Sequence, residues 1–180
     1  MADTNQQART VSGTSSKMDI SSLILLAVLL AAGFILNFTL GNALAIVGIK
    51  PQFIIAAYSL AILLSDAKPG QAFVYGLISA AVIQLTTSIP GLNFFTEGVS
   101  SVLMAFLVGK QIGGEKANPF VATFCTTLVS GALFAVCGTL IMGAALPTVV
   151  VKVPLVLGTA VFNAVVVAAL TPALRKVLKR

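Results

Sequence analysis

Three ionisable side chains, Lys50, Glu97 and Lys152, stand apart from the polar loops and the chain ends that carry the other charges. A charge beside long apolar segments is costly unless it reaches water, a partner or a ligand. Two lysines and one carboxylate at one level would bind a zwitterion, with a lysine taking its carboxylate and Glu97 its ammonium group. Alternatively, Glu97 pairs with a lysine, or lies in external water at the start of a helix, where its charge suits the helix dipole.

Lys50 lies in the segment Gly48-Ile49-Lys50-Pro51-Gln52, between residues 20–49 and 53–65, which contain no charged residue. Pro51 interrupts a helix and leaves backbone groups free, which an ion would need nearby. Lys50 is therefore either a substrate anchor or an interfacial lysine whose long side chain extends to the lipid headgroups.

Uncharged polar and aromatic residues are predicted at the same level. Buried amides and hydroxyls serve either ligand binding or helix packing, and aromatic rings serve either stacking or the membrane interface. The amide-bearing candidates are Gln52, Asn93 and Asn163, and Phe94 is the leading aromatic candidate beside Phe53, Tyr58, Phe95 and Phe162. With the three charged residues, the predicted substrate-binding set is Lys50, Gln52, Asn93, Phe94, Glu97, Lys152 and Asn163.

The composition predicts an all-α integral membrane protein. Of the 180 residues, 58% are hydrophobic and only 9% are charged. Several apolar runs approach or exceed the roughly 20 residues needed to cross a bilayer as a helix. The net charge of +6 is spread over loops and ends and forms no single basic face, which argues against nucleic-acid binding.

Apolar runs and turn signals predict six transmembrane helices. We expect them at about residues 19–37, 51–65, 70–89, 93–111, 119–143 and 149–174, with residues 38–49 forming a loop or half-helix too short to span. Residues 1–18 are polar and are predicted to be a disordered N-terminal tail, so residues 19–180 form the membrane domain.

The distribution of cations predicts the orientation in the cell membrane. In this topology every lysine and arginine except Lys50 and Lys152 lies on the side of the two termini. Because cytoplasmic loops are enriched in these residues, we expect both termini in the cytoplasm.

The sequence offers little for catalysis. It contains no histidine, no GxxxxGK[ST] phosphate loop, no HExxH and no Gly-x-Ser-x-Gly motif. We therefore predict a binding and transport protein that is not an enzyme, with neither a cofactor nor a metal.

Four motifs resemble the small bacterial tryptophan-transporter family. They are Gly48-Ile49-Lys50-Pro51, Thr86-Thr87-Ser88-Ile89-Pro90-Gly91, Thr127-Leu128-Val129-Ser130-Gly131, and the basic end after Pro172. The resemblance runs from about residue 20 to the end of the chain. It implies tryptophan as the substrate.

That family is similar to the substrate-capture (S) subunits of energy-coupling factor transporters. The similarity implies a six-helix bundle that binds substrate near the extracellular side and works with a transmembrane coupling protein and two ATPases. Ala27 and Ala31 match the Ala-x-x-x-Ala motif through which the first helix of such subunits docks on the coupling protein. Three alternatives stay open: an S subunit for another small molecule such as a vitamin, a stand-alone ion-coupled amino-acid permease, and a membrane scaffold without a ligand.

Overall fold

The computed structural model describes residues 19–45 and 51–178, apart from the side chains of Asn42 and Ala45. The described residues form helices and no strand, which confirms the all-α prediction. The helices are α1 (Ile20–Leu36), α2 (Asn42–Ala45), α3 (Phe53–Ser65), α4 (Pro69–Ile83), α5 (Leu92–Gly109), α6 (Gly114–Ile141) and α7 (Thr148–Val177), and a π-helical turn (Asn37–Gly41) joins α1 to α2. The tail predicted at residues 1–18 and the candidate Lys50 lie outside the described residues.

Four helical segments are long and apolar enough to cross a membrane: Ile20–Gly41, Leu92–Gly109, Gly114–Ile141 and Thr148–Val177. The other two apolar helices, α3 and α4, have 13 and 15 residues and are shorter than a typical span of about 20 residues. These lengths are compatible with a multi-pass membrane protein.

The predicted third helix is too long by six residues, because α4 ends at Ile83 rather than at residue 89. Residues 84–91 form the α4–α5 loop. They make hydrogen bonds with one another and do not continue the helix. Gly91 N–H donates to Gln84 Oε1 at 2.9 Å, and Ile89 N–H donates to Thr87 Oγ1 at 3.4 Å. Side-chain oxygens near the backbone offer it an alternative to helical hydrogen bonds.

The predicted start of the fifth helix, residue 119, is also late, because α6 already begins at Gly114. Gly113 adopts a left-handed conformation with φ of 87° and makes the turn from α5. The Asn118 amide then donates to the carbonyl oxygens of Leu107 and Ile112, at 3.0 and 3.2 Å, which fastens the start of α6 to the end of α5. The polar residues 114–118, which precede the predicted helix, therefore form the first turn of α6.

The short helix α3 is the centre of the bundle. Every residue from Phe53 to Leu64 is buried, and α3 packs against α1, α4, α5, α6 and α7. Gly33 of α1 lies directly on α3, since a Cβ atom at this position would be only 2.9 Å from the Phe53 carbonyl oxygen. Small residues permit such close approach between apolar helices.

A second close approach, between α4 and α5, positions the candidate carboxylate. A Cβ atom on Gly76 would collide with the Ser101 hydroxyl and would lie 2.5 Å from the backbone oxygen of Glu97. Glycine is therefore required at this crossing, and the backbone of α5 is held against α4 at the residue that carries the carboxyl group.

Candidate functional site

A cavity of about 640 Å³ opens between α3, α5, α6, α7 and the α4–α5 loop. Cavities of about 300–1,000 Å³ that combine apolar walls with a few polar groups are typical of small-molecule sites. Its polar lining consists of Asn37, Gln52, Thr86, Thr87, Ser88, Asn93, Glu97, Thr127, Ser130, Lys152 and Thr159, and its apolar lining includes Phe38, Ile55, Ile83, Leu85, Phe134, Leu155 and Val156.

Glu97 of α5 lines the cavity but is only 2% exposed. Three hydroxyl groups donate to its carboxyl group: Tyr58 to Oε2 at 2.9 Å, Ser130 to Oε1 at 2.7 Å, and Thr96 to Oε1 at 3.2 Å. Within the described residues, no lysine or arginine contacts this group. A carboxylate has about four lone-pair positions, so these donors occupy three and leave one on Oε2.

Lys152 of α7 faces the same cavity and is partly buried. Its ammonium group donates to Thr139 Oγ1 at 2.9 Å, and it is the only cation among the described residues that line the cavity. An ammonium group has three hydrogens, so this bond leaves donor capacity for an anionic group of a ligand.

Gln52 and Asn163 meet at the beginning of α3. Asn163 is fully buried, and its Nδ2 donates to the Gln52 backbone oxygen at 3.2 Å and to Thr127 Oγ1 at 3.4 Å. Gln52 lines the cavity, whereas Asn163 stands behind it and links α7 to α3 and α6. Gln52 Oε1 and Asn163 Oδ1 are buried acceptors with no hydrogen-bond partner in the described part of the chain, the first on a residue of the cavity wall and the second on the residue behind it.

Asn93 lines the cavity and holds the α4–α5 loop. Its Oδ1 accepts a hydrogen bond from Thr87 Oγ1 at 2.6 Å. Ile89 of the same loop packs over Gly138 of α6, where a Cβ atom would lie 2.8 Å from Ile89 Cδ1. The loop is therefore fastened on both sides, and it forms one wall of the cavity.

The aromatic lining differs from the predicted one. Phe94 is 40% exposed and is absent from the cavity wall, as is the more exposed Phe95. Phe53 and Phe162 pack edge-on against each other with ring centroids 5.5 Å apart, and they do not line the cavity either. Among the described residues, the rings that do line it are those of Phe38 and Phe134, neither of which is among the predicted site residues.

The hydroxyl groups of α6 were also missed as site residues. Thr127 and Ser130 line the cavity. Thr123 lies four residues before Thr127, one helical turn away on the same face of α6. Polar residues that recur at spacings of three and four within an apolar helix share one face, and this period is the signal that would have found them.

The predicted docking residues Ala27 and Ala31 are both exposed on α1. They lie away from the buried stripe formed by Ser22, Leu26, Leu30 and Gly33. The described residues include no group of three histidine, cysteine or acidic side chains that would hold a metal ion.

Comparisons of this chain with protein-family models, with curated proteins and with solved structures find no match.

Proposed function

We propose that this chain is the substrate-binding subunit of a bacterial uptake system for tryptophan. The observation that carries the proposal is the cavity, because a carboxyl group and an ammonium group line it together with apolar and aromatic side chains. These are the groups that a zwitterion with a large apolar side chain requires.

In this proposal Glu97 receives the ammonium group of tryptophan at its open Oε2 position. Lys152 and Lys50 receive the carboxylate, and the indole ring packs against Phe134 and Phe38 in place of the Phe94 expected from the sequence. The acceptors Gln52 and Asn93 complete the polar end of the site. The support for this arrangement is the shared lining of one cavity by Glu97, Lys152, Gln52 and Asn93.

In the same proposal α3 and α4 complete a bundle of six membrane-crossing segments with both termini in the cytoplasm. The support is that α3 is enclosed by other helices and need not match the bilayer thickness by itself. The distribution of lysines and arginines supports the orientation.

Transport in this proposal is energised by two partner ATPases through a transmembrane coupling protein that docks on the face containing Ala27 and Ala31. Two observations support it. The sequence contains no phosphate-binding loop, and the two alanines are small, exposed side chains one helical turn apart, which another helix can approach closely.

The first test is a calorimetric or thermal-shift titration of the purified chain in detergent. L-Tryptophan is compared with other aromatic amino acids and with riboflavin, thiamine and biotin. A ligand that binds the folded state alone raises its apparent stability, so stabilisation by tryptophan only is the expected result. Stabilisation by a vitamin would show that the substrate is that vitamin and not tryptophan. If none of these compounds stabilised the chain, the proposed binding function would be contradicted.

The second test is Glu97→Gln, which keeps the shape of the side chain and removes its charge. We expect tryptophan affinity to fall by about 100-fold, since a contact between charged groups is replaced by a neutral one in a buried site. Glu115→Gln is the matched control, because Glu115 is exposed on α6 outside the cavity. Equal affinities of the two variants, measured by titration, would remove Glu97 from the site.

A further inference from the structure

Tyr58 is the one donor to Glu97 that reaches it from the central helix. Its side chain is fully buried, and it is absent from the cavity wall, so a ligand in the cavity does not touch it. Its hydroxyl group donates to Glu97 Oε2 at 2.9 Å, which is the same oxygen that keeps an open lone pair. Tyr58 can therefore affect a ligand only through the carboxyl group.

We propose that Tyr58 is a positioning residue that holds the Glu97 carboxylate with its one open lone pair toward the cavity, and so determines its affinity for a ligand amine. The inference rests on the proposed binding function and adds a residue to its specificity. Thr96 and Ser130 act on the other oxygen, Oε1, so Tyr58 is the only described side chain that orients Oε2.

The geometry favours Tyr58 over the other two donors for this role. A phenolic hydrogen lies near the plane of its ring, whereas the hydroxyl hydrogens of serine and threonine rotate to suit their surroundings. The Tyr58 side chain is fully buried on a helix that is itself enclosed, so close packing restricts the orientation of its ring. The direction from which Oε2 receives its hydrogen bond is thus set by the most enclosed helix of the bundle.

A simpler explanation is that Tyr58 uses Glu97 to satisfy its own buried hydroxyl group, as buried tyrosines commonly do. In that case loss of the hydroxyl would change the stability of the protein and would leave its ligand preference unaltered. In the positioning role, loss of the hydroxyl lets the carboxyl group turn away or lose its charge, and binding of an amine becomes weaker.

The test is Tyr58→Phe, which removes one oxygen atom and keeps the ring. Affinity for L-tryptophan is measured by titration in detergent, and affinity for indole-3-propionate, which has the carboxylate and the indole ring but no amine, by competition. We expect tryptophan to bind about tenfold more weakly, as is typical for a lost hydrogen bond to a charged group, and indole-3-propionate to be no worse a competitor than before.

Tyr75→Phe is the matched control, since Tyr75 is the other tyrosine of the chain and is also buried, but lies on α4 without a described contact to Glu97. It should bind tryptophan as the wild-type chain does. Unchanged tryptophan affinity in Tyr58→Phe, or equal losses in the two variants, would overturn the positioning role while leaving the binding function intact.

Failure of the wild-type chain to bind tryptophan would instead contradict the proposed function itself. If Tyr58→Phe does not fold, Thr96→Val takes its place, because it removes another hydrogen bond to the same carboxyl group from a side chain that also stays outside the cavity wall. Because Thr96 bonds to Oε1 and leaves the Tyr58 bond to Oε2 in place, tryptophan affinity in Thr96→Val should fall by less than the tenfold expected from loss of an orienting donor. A loss of tenfold or more would contradict the distinct role of Tyr58.

Discussion

The helices α1 and α3 both lack charged residues, and they occupy opposite environments in the bundle. In α1 only Ser22, Leu26, Leu30 and Gly33 are buried, and these four residues form one stripe along the helix. In α3 every residue from Phe53 to Leu64 is buried. Apolarity therefore allows a helix to leave water, whereas the number of neighbouring helices decides how much of it is enclosed by protein.

The two helices meet at Gly33, and there the contrast has a structural cause. Among the described elements, and beyond its own π-helical turn, α1 packs on α3 and α4 only, whereas α3 has α4, α5, α6 and α7 around its other sides. The remaining surface of α1, which includes the exposed Ala27 and Ala31, is not covered by any described helix. The central position of α3 in turn allows its first residues and Tyr58 to contribute to the cavity and to Glu97.

The largest predicted effect on stability concerns isoleucine-to-alanine substitutions, made separately in α3 and in α1. Ile62 of α3 is fully buried, so Ile62→Ala should lower the free energy of unfolding by about 2–5 kcal/mol, the usual cost of a cavity in a packed core. Ile35 of α1 is 61% exposed, so Ile35→Ala should change it by less than about 0.5 kcal/mol. Denaturation in detergent measures both free energies, and equal losses would contradict the enclosure of α3 and the exposure of this face of α1.

A smaller effect is expected where the two helices touch. Gly33→Ala places a Cβ atom 2.9 Å from the Phe53 carbonyl oxygen, which belongs to the backbone and cannot rotate away. We expect a loss of about 1–3 kcal/mol in the free energy of unfolding from this overpacking.

Gly158→Ala on α7 is the control for this substitution. A Cβ atom at Gly158 meets nothing within 4 Å, so alanine should be neutral or stabilise the helix by up to about 1 kcal/mol. If the two alanines had the same effect in the denaturation measurement, the close approach of α1 to α3 would be wrong.

The smallest effect on stability is predicted for the exposed face of α1. Ala27→Leu combined with Ala31→Leu should leave the melting temperature and tryptophan binding unchanged, since neither residue packs in the bundle. Uptake into cells that contain the partner ATPases should stop, because the larger side chains keep a docking helix away.

Ala169→Leu, at an exposed position of α7, should leave uptake intact and controls for added bulk. Continued uptake in the Ala27→Leu/Ala31→Leu variant would contradict docking at this face.

Much of the architecture was predictable because long apolar runs and turn signals are local properties. The helix at Leu92–Gly109 was placed to within two residues at each end, and each predicted apolar segment forms a helix. The predicted helix ends are wrong where side-chain hydrogen bonds, and not the local sequence pattern, determine where a helix ends or begins. Thr87 and Gln84 end α4 early by bonding to the loop, and Asn118 extends α6 into a polar segment by bonding to α5.

The candidate site was predictable in part, for a similar reason. Glu97, Lys152, Gln52 and Asn93 were selected because a charge or an amide among apolar residues is unusual, and all four line one cavity. Asn163 supports that cavity from behind, Phe94 lies outside its wall, and the role of Lys50 stays a prediction. Phe134 carries no such signal, since phenylalanine is ordinary in an apolar helix, and Tyr58 is an aromatic candidate whose hydrogen bond to Glu97 depends on packing.

The amino-acid sequence establishes that this chain is helical, apolar enough for a membrane and poor in charged residues. Composition and periodicity suffice for this, because each helix satisfies its own backbone hydrogen bonds. The enclosure of α3, the exposure of α1 and the meeting of Tyr58 and Ser130 at Glu97 depend instead on tertiary packing. Contacts between residues 33 and 39 positions apart depend on how helices pack, and no local pattern encodes that packing.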